Sequence, residues 1–240
     1  EEEMNLSTEM NIRAGEKGIN VSKLLANLGI KSKALGYTAG FTGDFIKKNL
    51  YDEGIESDFV ELDGITRINV KINNNSKETE IAGLSPNITK EAEEKLIEKI
   101  SVLQKDDILI LSGSIPESIE KNIYKKLAAM LPEGAKIVLD TRGSLLKENL
   151  NNNFLIKPNI AELEEMFGTE LKTTADIVEK CCYFLEKGVK NIIVSMGGKG
   201  ALFVNKEGAY TAEVPKGKLI NSVGAGDSMV AGFIAGTESG

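Results

Sequence analysis

Histidine is missing from all 240 residues. That removes the commonest general base, the Ser-His triad and most zinc sites, so any proton transfer rests on a carboxylate, a lysine or a tyrosine. Excess positive charge is missing too. The 29 Lys and Arg against 36 Asp and Glu leave a net charge of −7 and a pI near 5.0. A nucleic-acid surface needs a basic face, so nucleic acid is not an expected partner. No apolar run has the length of a membrane span and no secretory leader pattern is seen, so neither is a membrane. Cysteine is confined to the neighbours Cys181 and Cys182, which cannot staple distant segments and read as reduced thiols of a cytoplasmic protein. Beyond these gaps the composition is ordinary, 41% hydrophobic and 27% charged, and the length suffices for one α/β domain.

The most informative stretch is Asn221–Phe233, which reads Asn-Ser-Val-Gly-Ala-Gly-Asp-Ser-Met-Val-Ala-Gly-Phe. Gly224 and Gly226 tolerate positive φ, and a helix starting near Ala225 would turn its positive end toward the same place. An anion suits such a concavity. Asp227 is a carboxylate beside it, a costly position without a task. The task it suggests is taking a proton from a hydroxyl as a phosphoryl group lands there.

Along the chain, Thr8–Arg13 alternates as a strand, and Gly15-Glu16-Lys17-Gly18 feeds a helix in which Val21, Leu24, Leu25 and Leu28 recur at helical spacing before Gly29. This turn suits an anionic or polyhydroxyl ligand, or is a plain strand–helix turn with a solvated lysine. Lys33–Tyr37 reads as a strand, Thr42–Glu53 as a threonine-capped helix and Ser57–Leu62 as a strand. Thr66–Ile72 alternates strictly, with Ile68, Val70 and Ile72 on one face and Arg67, Asn69 and Lys71 on the other. The second face is either wet or a phosphate grip. With Glu78–Ala82 the segment forms a hairpin.

From Ile88 onward strands and helices alternate. Helices are expected over Thr89–Leu103, Ser118–Leu131 and Asp176–Lys187. Buried strands are expected over Asp107–Leu111, ending in Ser112-Gly113-Ser114; over Lys136–Leu139, ending at Asp140; and over Phe154–Ile156, ending in Lys157-Pro158-Asn159 with Glu162 one turn on. Asn191–Val194 is another, ending in Ser195-Met196-Gly197-Gly198-Lys199-Gly200, and Ala201–Asn205 with Gly208–Val214 form a hairpin. Small polar residues at strand carboxyl ends mark the ligand edge of an open α/β sheet. The pattern predicts a mostly parallel sheet with helices on both faces.

Known phosphate idioms exclude themselves. No Gly-x4-Gly-Lys-Ser/Thr loop is present, no Gly-x-Gly-x-x-Gly follows the first strand, and a protein-kinase His-Arg-Asp is impossible. These motifs, in their order, are instead similar to those of the ribokinase-like (PfkB-type) carbohydrate kinases, in the branch of 1-phosphofructokinase and tagatose-6-phosphate kinase. The resemblance runs from about Asn5 to the last residues. It implies a ribokinase-like α/β fold with a small β lid, approximately 6–14 and 62–84, on a core of 15–61 and 85–240.

It also implies ATP-dependent phosphorylation of a ketohexose phosphate, with Mg²⁺. Asp227 would be the base, and Gly224, Ala225 and Gly226 the anion hole. Gly15, Lys17, Gly18, Asn20, Arg67, Asn69, Lys71, Ser112 and Gly113 would hold the sugar phosphate. Lys157, Asn159, Glu162, Ser195, Gly197, Gly200, Ser222 and Val223 would border ATP, with Glu162 reaching the metal through water. Lids of such relatives often pair two subunits, which implies a homodimer. Two departures stand out. Glu16 occupies a position that is usually glycine, and the family's first strand and last helices have no counterpart here, so a shortened chain of weak activity is expected. Rival readings are a kinase for another sugar and a ligand-binding remnant without catalysis.

Overall fold

The computed structural model describes residues 7–15, 17–74, 77–217 and 224–239. Glu16, Ser222 and Val223, singled out above, lie outside the described residues.

The centre is a sheet of six strands: β7 (Ile108–Ser112), β8 (Lys136–Asp140), β9 (Leu155–Ile156), β10 (Asn191–Ser195), β11 (Ala201–Asn205) and β12 (Gly208–Ala212). They lie side by side in chain order; β7 to β10 are parallel, and β11 and β12 continue as an antiparallel hairpin. Their near-continuous apolar runs follow from burial on both faces. On one face Val138, Leu155 and Ile193 pack against Val21 and Leu25 of α1 (Lys17–Asn27) and Val230, Ala231 and Ile234 of α8 (Ala225–Ser239). On the other, Ile137, Leu139, Ile156, Ile192 and Val194 meet α3 (Lys90–Ser101), α4 (Ile123–Ala129), α6 (Ile160–Phe167) and α7 (Thr174–Glu186). One residue's shift along each strand thus exchanges one helical layer for the other. The mostly parallel α/β sheet with helices on both faces is as expected.

Three smaller sheets of two strands complete the described fold. β1 (Lys33–Ala34) pairs with β3 (Glu56–Ser57), and β2 (Tyr37–Ala39) with β4 (Val60–Leu62), so each strand expected over these segments divides between two sheets. The third is a free-standing hairpin of β5 (Val70–Asn74) and β6 (Lys77–Ile81).

Several boundaries need correction. Thr8–Arg13 forms no strand: it has no partner among the described residues, and Met10 and Ile12 are exposed. A strand requires a neighbour to satisfy its ladder. The expected strand from Thr66 begins only at Val70, where cross-strand pairing to Ile81 begins. The helix expected from Ser118 starts at Ile123, because the Ser118 hydroxyl accepts the Ile88 N–H instead of continuing a helix. The helix after β2, α2 (Gly40–Asp52), is capped at Ala39 without a side-chain bond; Thr42 donates instead to the Thr66 carbonyl at 2.8 Å.

Candidate active site

Asp227 lies in the first turn of α8, and its residue is only 7% exposed. A carboxylate at a helix N-terminus gains from the unpaired amides and the macrodipole. Gly224, at φ +83°, closes the turn, and its carbonyl accepts both the amide and the hydroxyl of Ser228. The amides of Ala225 and Gly226 then belong to the turn that has no intrahelical acceptor. Asn20 of α1 donates its Nδ2 to Asp227 Oδ2 at 2.7 Å. Asn20, expected among the sugar-phosphate ligands, thus holds the candidate base in this structure. Gly15 stands close by, where a Cβ would come within 3.0 Å of Asn20 Oδ1.

A second group lies at the carboxyl ends of β7, β8 and β9. Asp140, the last residue of β8, is 1% exposed and takes Lys17 Nζ at 2.8 Å and Lys157 Nζ at 3.5 Å on the same oxygen. Lys17 opens α1, whereas Lys157 follows β9, so the sheet gathers cations separated by 140 residues around one carboxylate. Lys157 also lies against α8: a Cβ on Gly226 would come 2.8 Å from its Nζ. Gly226 is glycine because a larger residue would displace this ammonium. Two anchored cations, a helix N-terminus and a buried carboxylate held by an amide therefore converge.

The loop after β7 is fastened to the same place. Gly113, at φ +93°, donates its amide to the Asp140 carbonyl, and its own carbonyl accepts the Thr141 hydroxyl. Tyr124 donates its hydroxyl to the Ser112 carbonyl at 2.8 Å. Burial, with the Asp140 carboxylate as the lesser cause, pushes the Tyr124 phenol up from its ordinary value, so it stays a donor at working pH. Ser112 Oγ would lie 3.0 Å from a Cβ at Gly18, so the α1 turn and the β7 loop touch.

On the β9–β10 side, Asn159 and Glu162 form a capping box. Asn159 Oδ1 accepts the Glu162 amide and Glu162 Oε2 accepts the Asn159 amide. Both expected ATP residues therefore begin α6 as well as facing the sheet edge. Ser195 donates its amide to the Pro158 carbonyl, which places it beside this cap. Gly197 and Gly200 build the tight turn into β11, and Gly200 is required, since a Cβ would meet the Ala212 carbonyl at 2.0 Å. Among the described residues no His, Cys, Asp and Glu group of three could hold a metal ion.

The hairpin cations are a separate matter. Lys71 pairs across the hairpin with Glu80 at 3.7 Å, and Asn69 Oδ1 accepts the Gly83 amide. Arg67 lines an open cleft of about 480 Å³ at the hairpin's base, with Ile65, Ile68 and Leu84. Sequence reasoning gave Asp140 no role beyond ending a strand. Its signal was an acidic residue at the carboxyl end of a fully apolar parallel strand.

A mostly parallel sheet with helices on both faces, and with two cations and a carboxylate at a glycine-rich helix start, suits a small molecule that carries phosphate. The family model for the pfkB family carbohydrate kinases matches residues 1–240. A 1-phosphofructokinase of Bacillus subtilis is 49% identical over 224 residues, covering 92% of this chain and 74% of that protein. A D-tagatose-1-phosphate kinase of Bacillus licheniformis is 34% identical, covering 99% and 79%. Phosphofructokinase-2 from Escherichia coli in complex with substrates and products superposes with a TM-score of 0.86 at 27% identity, covering 98% and 80%. The chain belongs to the pfkB family of carbohydrate kinases, and it is an ATP-dependent sugar-phosphate kinase.

Proposed function

We propose that this chain transfers the γ-phosphoryl group of ATP to the free primary hydroxyl of fructose 1-phosphate, giving fructose 1,6-bisphosphate. One observation carries the reading: Asp227 is buried at the start of α8 and held by Asn20, and Lys157 lies against the adjoining Gly226. Asp227 takes the hydroxyl proton. The amides of Gly224, Ala225 and Gly226 receive the charge that builds on the transferring group. Lys157 lies along that helix start and meets the ATP phosphates, with Ser195, Gly197 and Gly200 bordering the nucleotide. Glu162 is a single carboxylate with one oxygen already spent on its cap. That donor set fits a Mg²⁺ that keeps most of its water and meets the protein through it, and the ion supplies charge neutralisation on the phosphates.

Lys17, Ser112 and Gly113 contact the sugar, and Arg67, Asn69 and Lys71 close on its phosphate when the hairpin folds over the site. Two hairpin cations favour a substrate that already carries phosphate. Relatives named for phosphofructose and for tagatose 1-phosphate agree with that class. ADP release with fructose 1-phosphate, tagatose 1-phosphate, tagatose 6-phosphate and unphosphorylated fructose tests the choice. The highest kcat/KM is expected for fructose 1-phosphate. Equal turnover of unphosphorylated fructose would sink it, and ligand binding without any ADP would favour a remnant without catalysis.

The same hairpin supports a homodimer. Val70, Ile72 and Ile81 share one face by cross-strand register and are exposed, with Ile68 and Leu84 nearby. A second copy of the chain covers this face in our reading. Ile72→Lys should shift the species seen by sedimentation to half the mass; an unchanged mass would refute it.

A further inference from the structure

Asp140 departs from what a purely structural carboxylate needs. It is almost fully buried, and its Oδ1 serves two ammonium groups while Oδ2 has no hydrogen-bond partner among the described residues. Buried charges are normally paired and have their remaining lone pairs satisfied. Here two cations share one oxygen, leaving a surplus positive charge beside an unused acceptor. Each ammonium has three donors; Asp140 takes a hydrogen bond from Lys17 and holds Lys157 by charge alone, which leaves donors on both for a ligand. Its backbone is clamped by the Gly113 amide and the β7–β8 ladder, so the carboxylate is a fixed post.

The two lysines differ in access. The Lys17 side chain is 32% exposed, whereas that of Lys157 is 8% exposed and runs under Gly226, next to Asp227. Left untethered, both would follow whatever phosphate oxygen binds first. A binding site built only for affinity would not place a negative charge between its two cations. A site built for phosphoryl transfer gains if those cations are strongest toward the transferring group rather than the bound reactants.

We propose that Asp140 is a positioning residue: it tethers Lys17 and Lys157 beneath the start of α8, keeping their alignment for transfer at the expense of ground-state affinity for phosphate. This rests on the kinase reading above. Removing the charge while keeping the shape therefore splits binding from turnover. In Asp140→Asn the trio of Lys17, Lys157 and residue 140 rises from one surplus positive charge to two, so phosphate-bearing ligands bind more tightly, by at least about threefold. The freed lysines stay with the ground state, and kcat falls by about thirtyfold.

Calorimetry with a non-hydrolysable ATP analogue and with fructose 1-phosphate, together with ADP release, measures both effects on wild type and Asp140→Asn. A carboxylate that only supports the fold would lower Tm and leave both affinities unchanged in the folded protein; unchanged or weaker binding overturns the proposal, as does an unaltered kcat in an active enzyme. Absence of turnover by the wild type would count against the kinase reading alone, and calorimetry would still decide the role of Asp140. If Asp140→Asn does not fold, Asp140→Asn combined with Lys17→Gln restores the native surplus of one charge. It must bind the analogue more tightly than Lys17→Gln alone; equal or weaker binding overturns the proposal.

Discussion

The sheet edge around Asp140 and the hairpin of β5 and β6 carry the same kinds of residue in opposite circumstances. At the sheet edge, Lys17 and Lys157 come from distant segments and meet one buried carboxylate, while Asn20 reaches across to Asp227. On the hairpin, Lys71 finds its partner on the neighbouring strand, and the apolar residues face outward. The first region is assembled by the packing of the whole domain. The second is held by local register. Packing of the whole domain therefore fixes the first group, whereas the second depends on contacts within one hairpin.

The comparison can be broken by substitution. Leu139 is fully buried between β8 and the helices of one face, so Leu139→Ala should cost about 2–5 kcal/mol in denaturant unfolding. Ile72→Ala, on the exposed hairpin face, should cost under about 0.5 kcal/mol at protein concentrations where the chain is monomeric. Similar losses at both positions would contradict the distinction. Arg67→Ala with Lys71→Ala should raise KM for the sugar phosphate about 10- to 100-fold while KM for ATP and Tm stay put, since charge-assisted bonds to a phosphate are worth a few kcal/mol in total. Loss of ATP affinity instead would place the hairpin on the other substrate. A smaller effect is expected for Thr173→Ala, which removes the cap of α7 and should cost about 1 kcal/mol by thermal unfolding.

The smallest effect concerns acid. Hydrogen bonds from the Thr173 backbone, then its side chain and the Lys172 backbone, hold the Asp176 carboxyl below its ordinary 3.8. A depressed value stabilises the fold above the unfolded value and is lost as pH falls through the folded one. The Tm difference between wild type and Asp176→Asn should therefore persist from pH 7 to about 5 and shrink below pH 3.8. A difference that stays constant to pH 2 would contradict this cap.

What could be read from the sequence follows the same divide. The parallel strands were legible because burial on both faces imposes continuous apolar runs, and their carboxyl ends located Ser112, Lys157 and Ser195 at the ligand edge. α7 was legible from apolar period, whereas α6 and the capping role of Asn159 and Glu162 were not, since the same residues also suit a nucleotide. Illegible were contacts spanning the fold: nothing in the sequence near Asn20 points to Asp227, 207 residues away. Asp140 was passed over because its meaning lies in two lysines it meets only after folding. Thr8–Arg13 misled because alternation describes a strand's faces and says nothing of whether a neighbour exists. Burial pushes the Cys181 thiol up to about 12, which makes it a poor nucleophile.

The central claim is that Asp227 is the base of a phosphoryl transfer in a site built around it. ADP release with fructose 1-phosphate, ATP and Mg²⁺ should show turnover by the wild type, and Asp227→Asn should lower kcat about a thousandfold with KM values changed little. An Asp227→Asn protein that retains kcat within about tenfold of the wild type would contradict the account.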